Sequence, residues 1–517
     1  MNVLIINLTR FGDLIQTQPV ISGLVEQGHR VGLVCLENFA SAATLLDGVD
    51  EVFPFPGAGL LSLLDSDWRL AVERVSAFRD RVFERMEPGR IVNLTPSVSS
   101  RLLARALAPD SGDVAGFSVD EFGFNADSSA WAAFLQLAGS NRGASPFNLC
   151  DIFRRTAGLG DEGNSLVLAL TDDAVLSEGQ QRLTDGTSDS SNGYLALQMG
   201  ASEERRRWPV EYFVRLAELV WERDGLVPVL LGTKGEAHLG ERFRERAGCP
   251  SVDLMGGTSL TELAGVLGNC AALVTNDTGT MHLAAGLGVP LCAVFLATAQ
   301  PWDTGPYRAG NLCLEPDMDC HPCRFGTRCP NDNSCRRAVG PETLYASLRA
   351  LLDGGDPEGC SGARVWRTRT GDYGFMDLIS LSGHDDADRT VWKGQQRTYF
   401  RAFLDGDIVA EPCGLGRKLS TGMAEELSKT LTNARDMLFL LSRQGMLLAS
   451  NPRSQAKAKF LASWQRLQGV FDASEYLDIL GKLWMFESQK SGGDLASLLS
   501  LVDRYHGLVS SLVREFE

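Results

Sequence analysis

The sequence predicts an α/β protein in which two doubly wound domains face a common cleft and a mixed appendage follows. Three observations predict it. Short apolar strands alternate with helical stretches, which implies parallel sheets. The alternation runs twice, on either side of the polar, turn-forming segment 184–193, Thr-Asp-Gly-Thr-Ser-Asp-Ser-Ser-Asn-Gly. Beyond Gly354-Gly355 the pattern changes to Arg, Thr, Gly and aromatic residues and then to helical periodicity. At 517 residues the chain is also too long for one ordinary domain.

In the first series the strands are 3–7, 31–36, 52–55 and 91–94. Helices fill the stretch ending near Gln27-Gly28 and the spans 40–46, 78–86 and 99–107. This gives a first domain over 1–165. The second series, within 190–355, reads as strands 194–198, 227–231, 251–253, 272–275 and 291–295. Between them fall helices 209–222, 235–247, 259–267 and 282–287. Residues 361–517 form the appendage: short strands over 365–408, then helices over 423–517 broken at Asn451-Pro452 and Gly492-Gly493. Its leucine stripe, Leu438, Leu440, Leu441 and Leu447, reads as packing surface rather than as a cofactor site.

Composition narrows the function. Hydrophobic residues make up 44% and charged residues 22%, the balance of a folded globular protein. A formal charge of −16 argues against nucleic acid as a partner, so an anionic ligand must be met by local charge. The apolar start lacks a basic n-region and is interrupted at Thr9-Arg10-Phe11-Gly12-Asp13, too early for a signal peptide. No apolar run reaches membrane-spanning length, which leaves at most peripheral membrane contact and a cytoplasmic protein as the expectation.

Four segments carry chemistry, each where a strand should end, and ligands of open α/β sheets bind at that edge. Gly12 lets backbone come close, and Asp13 beside it can take a proton from a hydroxyl; its bland reading is a helix cap. Gly200 to Pro209 holds Arg205, Arg206 and Arg207, and guanidinium groups suit a pyrophosphate. Glu236, after Leu231-Gly-Thr-Lys-Gly, can accept from a ribose. Asp277-Thr278-Gly279 opens a helix whose N–H groups can face phosphates, with capping by Asp277 or Thr278 as the alternative. A lone Asp-Thr-Gly triplet rules out an aspartic protease, and the first strand lacks the Gly-x-Gly-x-x-Gly of a dinucleotide oxidoreductase.

A fifth feature is Cys320-His-Pro-Cys323 with Cys329 and Cys335, inside a cysteine-rich loop over 313–335. Thiolates at such spacing suit one tetrahedral ion, zinc or iron, in a structural role; four reduced thiols or two disulfides are the alternatives. Cys35, Cys270 and Cys292 read as core.

Over roughly residues 1 to 350 these motifs, in this order, resemble glycosyltransferase family 9, the bacterial heptosyltransferases that use ADP-heptose to build lipopolysaccharide cores. The matching elements are Gly12-Asp13 with Pro19, Gly200 to Trp208-Pro209, Gly232 with Glu236, and Asp277-Thr-Gly-Thr-Met-His282-Leu283. The family's lysine two residues before the tryptophan is Arg206 here. The resemblance implies a GT-B type fold of two Rossmann-like domains, with the acceptor held mainly by the first and the nucleotide sugar by the second. It implies inverting transfer with Asp13 as base, no catalytic cofactor, and donor contacts from Arg206, Glu236, Asp277, Thr278, Gly279 and His282. Some members, protein-modifying heptosyltransferases among them, carry an iron-bound cysteine finger comparable to the cluster here. The acceptor stays open between a saccharide, lipid-linked or free, and a protein. A non-catalytic binding or assembly protein on the same fold is the rival reading, and the appendage is a candidate for oligomer contacts.

Overall fold

In the computed structural model the described residues are 1–517 except 65–66, 110–111, 142, 170–171, 187–190, 408, 410–411, 413, 452–453 and 491–493. The chain divides into two compact units. One comprises Met1–Ser128 and Phe147–Ser382, the other Ser129–Pro146 and Gly383–Glu517.

The first unit holds both predicted sheets. Strands β1 (Asn2–Asn7), β2 (Arg30–Leu36), β3 (Glu51–Phe55), β4 (Arg90–Asn93) and β5 (Val114–Gly116) form a parallel sheet in the order β3-β2-β1-β4-β5. The second sheet contains β6 (Gly193–Gln198), β7 (Leu226–Leu231), β8 (Val252–Asp253), β9 (Ala272–Asn276), β10 (Leu291–Val294), β11 (Leu312–Pro316), β12 (Ala363–Thr370) and β13 (Met376–Ser380). Its order is β13-β12-β11-β10-β9-β6-β7-β8. The central strands are apolar from end to end because helices cover both faces: Val3 to Ile6, Val229 to Leu231 and Ala272 to Val274 are all fully buried. The order reverses beside β1 in one sheet and beside β6 in the other, and a crevice opens at the carboxyl ends of strands at such a point.

The two sheet domains are joined by a buried polar network. Helix Leu149–Thr156 contributes Asp151 and Arg154, both fully buried. Tyr307 Oη donates to Asp151 Oδ1 at 2.6 Å, the backbone N–H of Met376 donates to Asp151 Oδ2 at 3.1 Å, and Arg154 Nη1 donates to Tyr307 Oη at 3.1 Å. Burial, with the Asp151 carboxylate next, pushes the Tyr307 phenol well up, so it stays protonated and remains a donor.

Three sequence expectations are corrected. Residues 363–380, assigned to the appendage, add two antiparallel strands to the edge of the second sheet. The stretch expected as short strands over 365–408 then becomes helix Asp388–Asp405; its apolar side chains recur at helical spacing, as at Trp392, Tyr399 and Phe403, and period outweighs aromatic content. Helix Ala130–Ser140, expected inside the first domain, belongs to the helical unit. There Trp131 Nε1 donates to Asp405 Oδ1 at 2.8 Å, and Lys393 Nζ donates to the carbonyls of Gly143, Ala144 and Ser145. The expected linker 184–193 overlaps helix Asp173–Asp185 at one end and β6 at the other, and 187–190 lie outside the described residues. So do Pro452, Gly492 and Gly493, expected as helix breaks, and the end of the 365–408 stretch at Ile408.

A chain cut after Ser382 should therefore behave badly. Trp131, Phe134 and Leu135, all buried, lose the helices that cover them, and each such exposure costs about 1.5–3 kcal/mol. Aggregation or dye binding to exposed apolar surface is the expected result; a soluble, monodisperse truncation with no dye binding would contradict the shared helical core.

Candidate active site

The site begins with two glycines. After β1 the chain turns at Arg10 into the short helix Phe11–Ile15; after β9 it turns at Thr278 into helix Gly279–Leu287. These helix starts meet. A Cβ on Gly12 would stand 3.2 Å from the Gly279 Cα and 3.3 Å from His282 Cδ2, and one on Gly279 would stand 2.6 Å from Phe11 Cδ1. A side chain at Gly279 would clash with Phe11 and one at Gly12 would be tight, so the carboxyl edge of one sheet touches that of the other.

Asp13 follows directly. It lies in the first helical turn, half-buried, and does not cap: the N-cap is Arg10, with no side-chain cap bond. Its carbonyl oxygen accepts from Asn7 Nδ2 and Thr17 Oγ1, both at 3.2 Å, which ties the turn to the end of β1.

On the opposite edge, the loops after β6, β7 and β9 supply the rest, and these three strands are neighbours. Arg206 Nη2 donates to Asp277 Oδ2, with both side chains only 7% exposed. Arg206 Nη1 lies 3.4 Å from Ser202 Oγ, and its Nε is buried with no hydrogen-bond partner. A desolvated guanidinium with an unmet donor is suited to an anion, because a planar fork can engage phosphate oxygens. Thr278 is the N-cap of its helix but makes no side-chain cap bond, so neither capping alternative holds: Asp277 is spent on Arg206, and Thr278 Oγ1 lies 3.2 Å from Thr275 Oγ1. No side chain caps this helix start. His282 is buried one turn further on, beside Gly12.

Glu236 has a structural duty as well. Its Oε2 accepts from the backbone N–H and the hydroxyl of Thr233, both at 2.9 Å, in a capping box. Its carboxylate also covers Gly200 so closely that a Cβ there would come within 1.9 Å of Oε1. Thus Arg206, Asp277, Thr278, Gly279, His282 and Glu236 collect on one edge, and Gly12, with Asp13 next in the chain, meets it from the other.

The sequence pattern gave no role to Asn276, which the structure makes central. This fully buried amide accepts from the backbone N–H of Trp208 at 2.9 Å and donates to the carbonyls of Met199 and Gly200 at 2.9 and 3.1 Å. It thereby pins the arginine loop to β9. An amide at the end of an apolar strand, just before an acid, was the available signal.

The cysteine cluster departs from expectation. Among the described residues no three His, Cys, Asp or Glu side chains stand where they could share a metal ion, so the site expected from Cys320, Cys323, Cys329 and Cys335 is not formed. Their sulfurs have other neighbours: Asn331 Nδ2 donates to Cys320 Sγ and the Asn333 N–H to Cys329 Sγ, each at 3.3 Å. All four are free thiols. Burial first, and then the neighbouring cysteines, raise the pKa of Cys323; burial also raises that of Cys335. Burial likewise pushes Cys35 up to about 11 and Cys270 to about 12, as befits core thiols.

Two Rossmann-like domains meeting at strand ends, with a buried arginine and an uncapped helix start at the junction, define a GT-B type fold. Comparison with known proteins narrows the class. Residues 166–333 match the model of "Glycosyltransferase family 9 (heptosyltransferase)". It is 33% identical over 187 residues to lipopolysaccharide heptosyltransferase 1 of Pseudomonas aeruginosa, covering 34% of this chain and 51% of that protein. It is 36% identical over 100 residues to lipooligosaccharide heptosyltransferase 2 of Haemophilus influenzae, covering 18% and 28%. The chain thus spans about half the length of the first of these relatives and less of the second. Among solved structures, the family 9 glycosyl transferase of Veillonella parvula superposes with a TM-score of 0.55 at 18% identity, over 68% of this chain and 98% of that one. ADP-heptose heptosyltransferase II of Escherichia coli does so with 0.52 at 17%, over 68% and 99%. These two likenesses establish the fold.

The buried ion pair has a stability consequence. Asp277→Ala strands the Arg206 charge and should cost about 3–5 kcal/mol, whereas an Arg206→Met, Asp277→Leu double variant should cost less than that single change. Chemical unfolding of the three proteins checks the order, and a double variant less stable than Asp277→Ala would refute it.

Proposed function

We propose that this chain is an inverting glycosyltransferase that moves heptose from ADP-heptose to a hydroxyl of a saccharide acceptor such as a lipopolysaccharide core. The observation that carries the reading is the meeting of Gly12-Asp13 with Gly279 beside the buried Arg206–Asp277 pair. That meeting supports a reading in which Asp13 serves as base beside an edge that holds the donor's phosphates.

In this mechanism the Asp13 carboxylate accepts the acceptor's hydroxyl proton as the oxygen attacks the anomeric carbon. The attack comes from the face opposite the diphosphate, whose bond to that carbon breaks, so configuration inverts. Negative charge then grows on the departing phosphate. Arg206 and the N–H groups at the start of helix Gly279–Leu287 offset it, fixed in place before the reaction begins. Charge neutralisation by these groups requires no metal at the reacting centre. Asp277, Thr278 and Gly279 hold the donor's sugar and phosphates, His282 is a further donor contact, and Glu236 holds the nucleoside.

Two further features support the setting. Among the described residues no helix is long and apolar enough to cross a membrane. The described cysteines are all free, which suits a reducing, cytoplasmic compartment.

The test is transfer by the purified protein from ADP-heptose to a heptose-deficient lipopolysaccharide core. Asp13→Asn should lower kcat by about 10²–10⁴-fold, the size of a general-base contribution, while ADP binding by calorimetry stays close to wild type. An Asp13→Asn protein with full turnover would remove Asp13 from the chemistry. Wild-type protein that binds no nucleotide sugar would remove the reading altogether.

A further inference from the structure

The cysteine-bearing loop touches the arginine loop at three points that neither composition nor motif spacing brings to notice. Arg336, immediately after the buried Cys335, donates from Nε to the carbonyl of Arg207 at 2.8 Å, and its Nη1 lies 3.5 Å from Glu204 Oε1. Arg205 Nη1 donates to the Thr327 carbonyl at 3.1 Å. Trp208 Nε1 donates to the Val339 carbonyl at 2.9 Å. Arg206 sits in the middle of the segment these bonds hold.

The loop itself is anchored at the same sheet edge. The N–H of Cys323 donates to the carbonyl of Ala297 at 2.8 Å. Ala297 ends the run from β10 with a φ of +56°, a conformation that a non-glycine residue keeps only when its surroundings hold it. Cys323 thus fastens one end of the loop to the turn after β10, and Arg336 fastens the other to the turn after β6.

Resting on the donor-site reading above, we infer that Arg336 is a positioning residue for Arg206, and that the cysteine loop is its mount. Arg206 must present one guanidinium face to a phosphate while Asp277 holds the other. Its backbone, a single 3-10 turn over Glu204–Arg206, has little rigidity of its own. Asn276 fixes the turn from the β9 side and Arg336 from the opposite side. Arg336 itself stays away from the donor and acts on donor affinity through Arg206.

The experiment compares full-length Arg336→Ala, Arg336→Lys, Glu204→Ala, Arg206→Ala and the Arg336→Ala, Arg206→Ala double variant. The readouts are ADP affinity by calorimetry and KM and kcat for ADP-heptose. Losing one hydrogen bond to the turn should weaken ADP binding and raise donor KM about fivefold, with kcat within about twofold of wild type. Arg336→Lys should recover most of the affinity. Glu204→Ala should change nothing, since its partnership with Arg336 is at the surface. In the Arg206→Ala background, Arg336→Ala should add no further loss, because the two act as one unit.

Unchanged ADP affinity in Arg336→Ala, or the same fivefold loss with Arg206 already removed, overturns the positioning role and leaves the donor site standing. Wild-type protein blind to ADP, or indifferent to Arg206→Ala, overturns the donor-site reading and this inference with it. Should Arg336→Ala fail to fold, Arg205→Ala removes the Thr327 tie together with the Glu203 pair, and Glu203→Ala serves as its control: a fivefold weaker ADP affinity in Arg205→Ala but not in Glu203→Ala then supports the mount, and an unchanged affinity in Arg205→Ala overturns it.

Discussion

The contact between Gly12 and Gly279 constrains everything else at the site. Two backbone segments from different sheets approach this closely where neither carries a side chain, and Asp13 and the Asp277-Thr278 pair flank these glycines. The buried Asp151, Arg154 and Tyr307 network makes the approach durable, because breaking it would strand polar groups in an apolar interior. Close backbone contact at one place and a buried polar network at another tie the two sheets together.

Electrostatics follow from burial rather than from net charge. The chain carries −16 overall, which would repel a diphosphate at long range. At the junction, however, one arginine is almost wholly shielded from solvent, paired once, and left with an unmet donor. In a desolvated place a single charge has more effect than several on a wet surface. The acid that partners it does two things: it keeps the guanidinium tolerable in the absence of ligand, and it fixes which face remains for one.

Much of the first 350 residues was legible because each strand is short, apolar and bounded by turn residues, and each motif sits at a strand end. The strands of both sheets follow from that regularity, whereas the helix after β9 begins at Gly279, three residues before the expected start. Beyond residue 360 legibility failed for physical reasons. Arg-rich, aromatic sequence in 363–380 is compatible with any edge strand, and only the open edge of β11 decides which sheet it joins. Helix Ala130–Ser140 looks locally like any helix of the first domain, yet its apolar side chains are buried by partners more than 250 residues away. Cysteine spacing suggested a metal because sulfur separation along the chain is visible, whereas the hydrogen bonds that occupy Cys320 and Cys329 come from Asn331 and Asn333.

By itself the sequence determined the local periods, the turns and the chemical types at each strand end, since these depend on neighbours within a few residues. Tertiary structure alone decided which ends face each other, that Asp277 is spent on Arg206, that Asn276 and Arg336 grip the arginine loop, and where the appendage begins. Those outcomes rest on contacts between residues tens to hundreds of positions apart, and no local pattern encodes which distant surface a side chain will meet.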